Sequence, residues 1–420
     1  MIHFSRGQTT RMPPAPAPAP ARPLQLSLLP DPAAVLGRRL LLRAAHRLAL
    51  PLRGDNAVRL LSGGDAQLER TRTLIRQARH SLRFEIYLWA DDAVGRELAE
   101  LLAAAAGRGV SVAGIVDAVG SWGSEGLLAS LEAVGIAIRR FHPVAPWRPL
   151  NIWNRRNHRK LLMADGCEAV IGSANWSLDY TLKANPEAFV DLGLALRGPS
   201  LADLVEDFNH VWRRSGGAPL PPLELEELPP LEPDLWLEGA TVQVLSSAGR
   251  FGHRALRRNL FRLLRGLQTE LLVANAYFLP GRALVRRLRR LARRGLSVRL
   301  LLPGPSDQAF VQAASRASFE KLLEAGVRIF ERRDRMLHAK AALLDGETAI
   351  IGSANLDPRS YRHNLELDLL IRHPGIGPEL RRFFETQVGM SEEIRPGSWK
   401  QRSLRQRWWE RFAALFRWWL

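Results

Sequence analysis

Two stretches of this sequence place the same polar side chains at the same spacing. In the first, His158, Lys160 and Asp165 are followed by Gly172-Ser173-Ala174-Asn175. In the second, His338, Lys340 and Asp345 are followed by Gly352-Ser353-Ala354-Asn355. In both copies Lys stands two residues after His, Asp seven after and Asn seventeen after, and the copies lie 180 residues apart. One H-x-K-x4-D is a weak signal, because strands with a polar face match it readily. A second copy with the same downstream Gly-Ser-Ala-Asn makes coincidence a poor explanation. The chain has five lysines among its 60 basic residues, and two of the five occupy these motifs. A chain that otherwise uses Arg needs a compact ammonium at both places, where a planar guanidinium would not fit.

Two residues apart on an extended segment, His and Lys project from one face. The chain then runs to Asp, turns at Gly166 in the first copy, and returns to bring Ser and Asn beside that face. Two such halves around a pseudo-twofold bring six groups to one interface: two bases, two cations and two amides. That site fits a phosphodiester. Lys160 and Lys340, with Ser173, Asn175, Ser353 and Asn355, are the expected phosphate-binding groups, holding the non-bridging oxygens as charge develops. One imidazole attacks phosphorus while the other, protonated, donates to the leaving oxygen. Each histidine needs a carboxylate to orient it. The candidates are Glu187 and Glu366, 29 and 28 residues past their histidines, in Asn185-Pro186-Glu187 and Asn364-Leu365-Glu366. Asp165 and Asp345 count with the catalytic residues of the motif. Standing where a strand turns, they have the alternative of tying down backbone N–H groups. No His, Cys and carboxylate cluster has metal-ligand spacing, so neither a metal nor another cofactor is expected.

The elements that must position these groups repeat as well. In the first half a helix is expected over Glu69–Arg79, a strand over Leu82–Trp89, then Ala93–Ala106 (helix), Val110–Val116 (strand), Glu125–Ala133 (helix) and Ile136–Phe141 (strand). The second half follows with Leu256–Leu267, Glu270–Tyr277, Arg282–Arg293, Ser297–Leu302, Ser315–Glu324 and Val327–Phe330. Strands alternating with helices that stop at glycine predict an α/β fold: two tandem α/β/α domains related by a pseudo-twofold, the active site at their interface. The expected boundaries are a Pro/Ala-rich tail and amphipathic helix over 1–55, a first domain over 56–214, a linker over 215–234, a second domain over 235–390 and a basic, Trp-rich end over 391–420. The first half carries an extra loop, Pro143–Asn157, with Trp147, Arg148, Trp153, Arg155 and Arg156. It reads either as a substrate-capturing loop or as a solvated one.

With both motifs set out, the chain resembles the phospholipase D superfamily, over roughly residues 56–390. Within it, Arg156-Asn157-His158-Arg159-Lys160, Leu356-Asp357-Pro358-Arg359-Ser360 and Asn364-Leu365-Glu366 resemble the bacterial cardiolipin synthases, in their shorter, non-spanning form. The resemblance implies a phosphatidyl–histidine intermediate, with His158 as nucleophile and His338 as general acid. It also implies transfer of a phosphatidyl group to phosphatidylglycerol, giving cardiolipin, with phosphatidylethanolamine a possible second lipid. A phospholipase D hydrolase or a metal-independent nuclease of the same superfamily is the alternative, and a non-enzymatic membrane scaffold a third.

A net charge of +18 points to a polyanionic partner, nucleic acid or an anionic membrane surface. The C-terminal run favours the membrane over nucleic acid. At a helical period Leu404, Trp408, Phe412, Leu415, Phe416 and Trp419 share one stripe, interrupted by Arg405, as suits a helix in the lipid headgroup layer. Docking of that helix on the protein's own core is the other reading. The sequence lacks a run of eighteen apolar residues, has no signal-peptide pattern and contains a single cysteine, Cys167. The expected location is therefore peripheral, on the cytoplasmic side of the inner membrane.

Overall fold

The motif strands are buried on both faces, and their alternation shows against what. In the computed structural model β5 (Leu161–Ala164) turns Leu161 and Met163 to one side of the sheet and Leu162 and Ala164 to the other. The structure describes residues 51–144, 154–221, 235–248 and 252–417. The Pro-rich tail, the expected helix before residue 51 and Trp147, Arg148, Trp153 and Trp419 lie outside the described residues, as does most of the linker.

The first half runs β1 (Leu52–Ser62), α1 (Gly64–Gln77), β2 (Ser81–Ile86), α2 (Ala93–Gly107), β3 (Ser111–Asp117), α3 (Glu125–Ala133), β4 (Ala137–Phe141), β5, β6 (Glu168–Gly172), β7 (Leu192–Arg197) and α4 (Leu201–Arg214). The second runs β8 (Leu237–Ser246), α5 (Gly252–Gly266), β9 (Glu270–Ala274), α6 (Arg282–Arg293), β10 (Ser297–Pro303), α7 (Ala309–Arg316), α8 (Phe319–Leu323), β11 (Arg328–Arg332), β12 (Ala341–Leu344), β13 (Thr348–Gly352), β14 (Leu367–Arg372) and α9 (Ile376–Gly389). The chain closes with β15 (Ser391–Ile394), α10 (Pro396–Lys400) and α11 (Leu404–Leu415).

The fifteen strands of the described residues form one mixed sheet, in the order β15-β11-β10-β9-β12-β13-β14-β8-β1-β7-β6-β5-β2-β3-β4. Outward from β1 the strands come as β7, β6, β5, β2, β3, β4. Outward from β8 they come as β14, β13, β12, β9, β10, β11, the same succession. The pseudo-twofold therefore passes between β1 and β8, which pair antiparallel. The outer strands β2, β3, β4 and β9, β10, β11 run parallel, and the motif strands join them antiparallel. One face of the sheet carries a single core spanning both halves, closed by α4 and α9. The other face carries two separate cores, one under α1, α2 and α3, the other under α5, α6 and α8. These are the expected α/β/α layers, joined through one continuous sheet.

Several sequence readings change. The helix expected over Ser315–Glu324 is two, α7 and α8, which break between Arg316 and Phe319. The second half does not stop at residue 390, because β15 pairs with β11 at the edge of the same sheet. The strand carrying each motif starts only after its lysine, so His158–Lys160 and His338–Lys340 are extended lead-ins. The reading of the C-terminal helix resolves in part. α11 opens with a reciprocal Ser403–Gln406 capping box, buries Ala413 against Leu279, Ala313 and Ala314, and packs Trp409 against Phe310. Leu404, Trp408 and Leu415 still face outward, 81%, 65% and 72% exposed. The helix is docked on the body and keeps an apolar stripe toward solvent.

Candidate active site

Each histidine lead-in is fastened to the opposite half. The amide of His158 donates to the carbonyl of Leu365 (2.9 Å), and the amide of Leu365 donates to that of Arg156 (2.8 Å). Symmetrically, the amide of His338 donates to Val190 (2.7 Å) and that of Val190 to Met336 (2.9 Å). These two short parallel bridges, Asn157 with Leu365 and Val190 with Leu337, set the start of β14 beside one histidine and the start of β7 beside the other. The residue just before each strand is acidic. His158 Nδ1 meets Glu366 Oε2 at 3.0 Å, and His338 Nδ1 meets Asp191 Oδ2 at 2.8 Å.

The expectation for the orienting carboxylates is thus corrected twice. Glu366 does orient a histidine, but it is His158 of the other half, 208 residues away. Glu187 orients none: it is exposed, and its amide closes a turn on the Asn185 side chain. Asp191 occupies the expected place. The Asn-x-Glu match was misleading because the loop between Asn175 and Asp191 is five residues longer than that between Asn355 and Glu366. The signal that does align them is the strand itself. Asp191-Leu192-x-Leu194-x-Leu196-Arg197 and Glu366-Leu367-x-Leu369-x-Ile371-Arg372 share an acid, an alternation of apolar residues and a terminal Arg.

The motif serines also have work other than the expected one. Ser173 Oγ donates to Asp191 and Ser353 Oγ to Glu366 Oε2 at 2.6 Å. Both are fully buried, so they position the carboxylates rather than face a phosphate. Glu366 is held further by Ser360 Oγ at 2.8 Å. Asn175 Nδ2 donates to the Tyr180 hydroxyl (2.8 Å) while its Oδ1 accepts from the amide of Leu88 (3.3 Å). Asn355 Oδ1 likewise accepts from the amide of Tyr277 (3.3 Å). The aromatic walls were not read from the sequence: Tyr87 packs edge-on to His158 and Tyr180 edge-on to His338, with Phe189 stacked on the latter.

Asp165 and Asp345 do not join the histidines. Asp165 accepts from the amides of Arg79, His80 and Ser81, at 2.9, 2.9 and 2.7 Å. Asp345 accepts from those of Gln268, Thr269 and Glu270. Each Asp and the Gly after it have positive φ, 51° and 64° in the first copy, 50° and 73° in the second. That is the backbone an Asp-Gly hairpin turn demands. These aspartates fix the start of β2 and β9 against the motif hairpin, which corrects their placement among the catalytic residues.

Burial and charge tune the centre. Lys160 Nζ donates to the carbonyl of His158 (2.7 Å) and sits over the Tyr87 ring. Lys340 Nζ donates to the carbonyl of His338 (2.6 Å) and lies 3.0 Å from its Nε2. Burial, then the charges of Lys160 and Lys340, hold His158 well below the usual imidazole range. Burial and Lys340 bring His338 down to about 4. The lysines are lowered in turn by burial, Lys340 to about 8 against the pull of Asp191 and Glu366. The two carboxylates differ. Burial pushes Glu366 up to about 7 against Lys160 and Ser353. Burial acts the same way on Asp191, but the His338 hydrogen bond and the nearby charges outweigh it and lower that carboxyl. Each lysine acts on the histidine of the other motif as well as its own, so the two motifs form one electrostatic centre. Among the described residues no group of three or more His, Cys, Asp or Glu is placed as metal ligands would be. The positive charges that act on His158 are those of Lys160, Lys340 and Arg359.

Comparisons with known proteins point to one family. A family model described as "Cardiolipin synthase, PLD-like domain" matches residues 71–212 and 260–388. Among curated proteins the chain is similar to cardiolipin synthase B of Shigella flexneri, 32% identical over 347 residues, 78% of this chain and 79% of that protein. It is also similar to cardiolipin synthase A of Pseudomonas fluorescens Pf-5, 32% identical over 84% of this chain and 73% of that one. Among solved structures, phosphatidylserine synthase of Haemophilus influenzae superposes with a TM-score of 0.68 at 15% identity, covering 90% of this chain and 99% of that chain. That likeness shows a shared fold.

Proposed function

The chain belongs to the phospholipase D-like cardiolipin synthase family and is a phosphatidyltransferase, and from that premise we propose how its two histidines divide the reaction. The observation that carries the proposal is the pair of crossed imidazole–carboxylate contacts, each with a lysine beside it. His158, neutral and with Nδ1 held by Glu366, presents Nε2 to the phosphorus of a phospholipid. The P–N bond forms as the P–O bond to the headgroup alcohol breaks, and His338 gives its proton to the departing oxygen. A phosphodiester lying between Lys160 and Lys340 offsets the field that depresses His338, so substrate binding itself favours the protonated acid. The ionised Asp191 then stabilises that imidazolium. In the second half-reaction His338 takes the proton of the acceptor hydroxyl, that oxygen attacks phosphorus, and the P–N bond breaks to free His158. Phosphatidylglycerol is the proposed donor and acceptor, giving cardiolipin and glycerol.

Support for this division of roles is the unequal tuning of the carboxylates: the acid kept ionised stands on His338, where a positive imidazolium must be held. Attachment is proposed to be peripheral, at the cytoplasmic side of the inner membrane, drawn by the net charge of +18. No described helix is long and apolar enough to cross a membrane. The test is incubation of the full chain with phosphatidylglycerol vesicles, followed by lipid mass spectrometry. Cardiolipin is expected from the wild type and none from His158→Ala. His338→Ala should lose far less of the single-turnover release of p-nitrophenol from its phosphatidyl ester, a leaving group that needs no proton, than of the single-turnover release of glycerol from phosphatidylglycerol. Phosphatidic acid as the sole lipid product would refute the transferase reading, and equal losses on both substrates would refute the acid role of His338.

A further inference from the structure

The apolar stripe of α11 stands beside an unusual concentration of positive charge. A groove of about 530 Å³ lies between α6 and the C-terminal helix, within the roughly 300–1,000 Å³ typical of small-ligand clefts. Its wall on α6 carries Arg282, Arg286 and Arg289, spaced four and three residues apart and so on one helical face. Lys321 faces them from α8, and Arg411 and Arg417 from the other side. The single acid in the lining, Glu320, is already engaged by Arg407 at 3.5 Å.

Such crowding is unfavourable unless an anion relieves it. The side chains of Arg282, Arg286, Arg289, Lys321 and Arg411 have no hydrogen-bond or ion-pair partner among the described residues. The Nε–H of Arg289 is buried and still lacks an acceptor. Guanidinium and ammonium groups crowded around one groove, with its one carboxylate already engaged, favour an anionic oxygen between them. None of these residues belongs to the histidine centre.

The surroundings say where that anion comes from. Leu404, Trp408, Arg411 and Leu415 follow at intervals of four, three and four, so the outward apolar stripe of α11 runs through a groove arginine. Tryptophan and leucine at that level, with arginine between them, match the boundary between acyl chains and phosphates in a bilayer. A free polyanion would leave the apolar stripe in water.

We propose that the groove between α6 and α11 is a second phosphate site, apart from the histidines, which holds the headgroup phosphate of an anionic phospholipid in the bilayer surface while Leu404, Trp408 and Leu415 enter the interface. The site anchors the enzyme and fixes which face it turns to its substrate. It rests on the membrane attachment proposed above, and it is independent of the chemistry at His158.

The test is co-sedimentation of the full-length protein with vesicles of phosphatidylcholine alone or mixed with phosphatidylglycerol, at fixed ionic strength. The wild type is compared with Arg282→Gln/Arg286→Gln/Arg289→Gln. A control, Arg254→Gln/Arg257→Gln/Arg258→Gln, removes the same charge from exposed positions of α5. Circular dichroism and urea midpoints verify that both variants fold. The groove variant is expected to bind the anionic vesicles about 100-fold more weakly, and the control far less so. Trp408→Ser/Leu415→Ser should weaken binding to the same vesicles, and repeating the series at a second ionic strength should show its salt dependence unchanged. Equal losses in the groove variant and the control would overturn the site in favour of net charge. A groove variant that binds vesicles normally, or one that loses duplex DNA binding instead, would overturn it as well. A wild type that ignores anionic vesicles would refute the membrane reading itself.

Discussion

Asp191→Asn separates the crossed arrangement from the one that local spacing suggests. Asp191 is fully buried and accepts from His338 Nδ1 at 2.8 Å, from Ser173 Oγ and from the amide of Leu192 at 2.6 Å. Asparagine keeps the size and one carbonyl acceptor, so the fold should persist. What disappears is a negative charge beside the imidazolium that forms on His338. Two unit charges about 4–5 Å apart at an effective dielectric of about 20 interact by about 4 kcal/mol. Applied to the transition state, that is about 10³-fold in kcat. Initial rates of cardiolipin formation from phosphatidylglycerol vesicles, at saturating lipid, measure it. Glu187→Gln is the paired control and should stay within about twofold of the wild type, since that side chain is exposed. The reasoning fails if Asp191→Asn keeps more than a tenth of wild-type activity, or if Glu187→Gln falls with it.

Asp165→Ala should act on stability and not on chemistry. It removes the acceptor of three backbone amides and puts Ala at φ 51°, for a cost of about 2–3 kcal/mol in urea denaturation. Activity per folded molecule should stay within about threefold. An unchanged urea midpoint with a hundredfold loss of activity would restore the aspartate to the catalytic set. The Glu366 carboxyl supplies a pH prediction. Its folded value of about 7 lies above an unfolded value near 4.5, so the folded state holds the proton more tightly. Its protonation therefore contributes stability below about pH 4.5, and that contribution is lost as pH rises through about 7. Glu366→Gln lacks this term. Its stability deficit relative to wild type should grow by about 3 kcal/mol as pH falls from 8 to 4.5, and a deficit that does not vary with pH would contradict the burial argument.

The fold was legible wherever a local pattern dictates local structure. The limits of α3 and α6 agree with the glycine-punctuated apolar pattern, and the Asp-Gly dipeptides marked both motif hairpins. β15 was missed because four residues at a sheet edge, two of them Glu, have no apolar alternation to betray them. The split of α7 from α8 was missed because its Ser-rich sequence breaks the helix without a Gly or Pro.

Residue type and spacing alone determined the two His–Lys pairs, their duplication and the phosphodiester chemistry they suit, because these depend on groups within twenty residues of one another. Only the tertiary structure decided which acid serves which histidine and what the motif serines do. Each histidine meets its acid across the pseudo-twofold, 208 and 147 residues apart in the chain. No period along a strand or helix encodes that distance. It is set by the pairing of β1 with β8 and by the short bridges that seat each histidine against the other half.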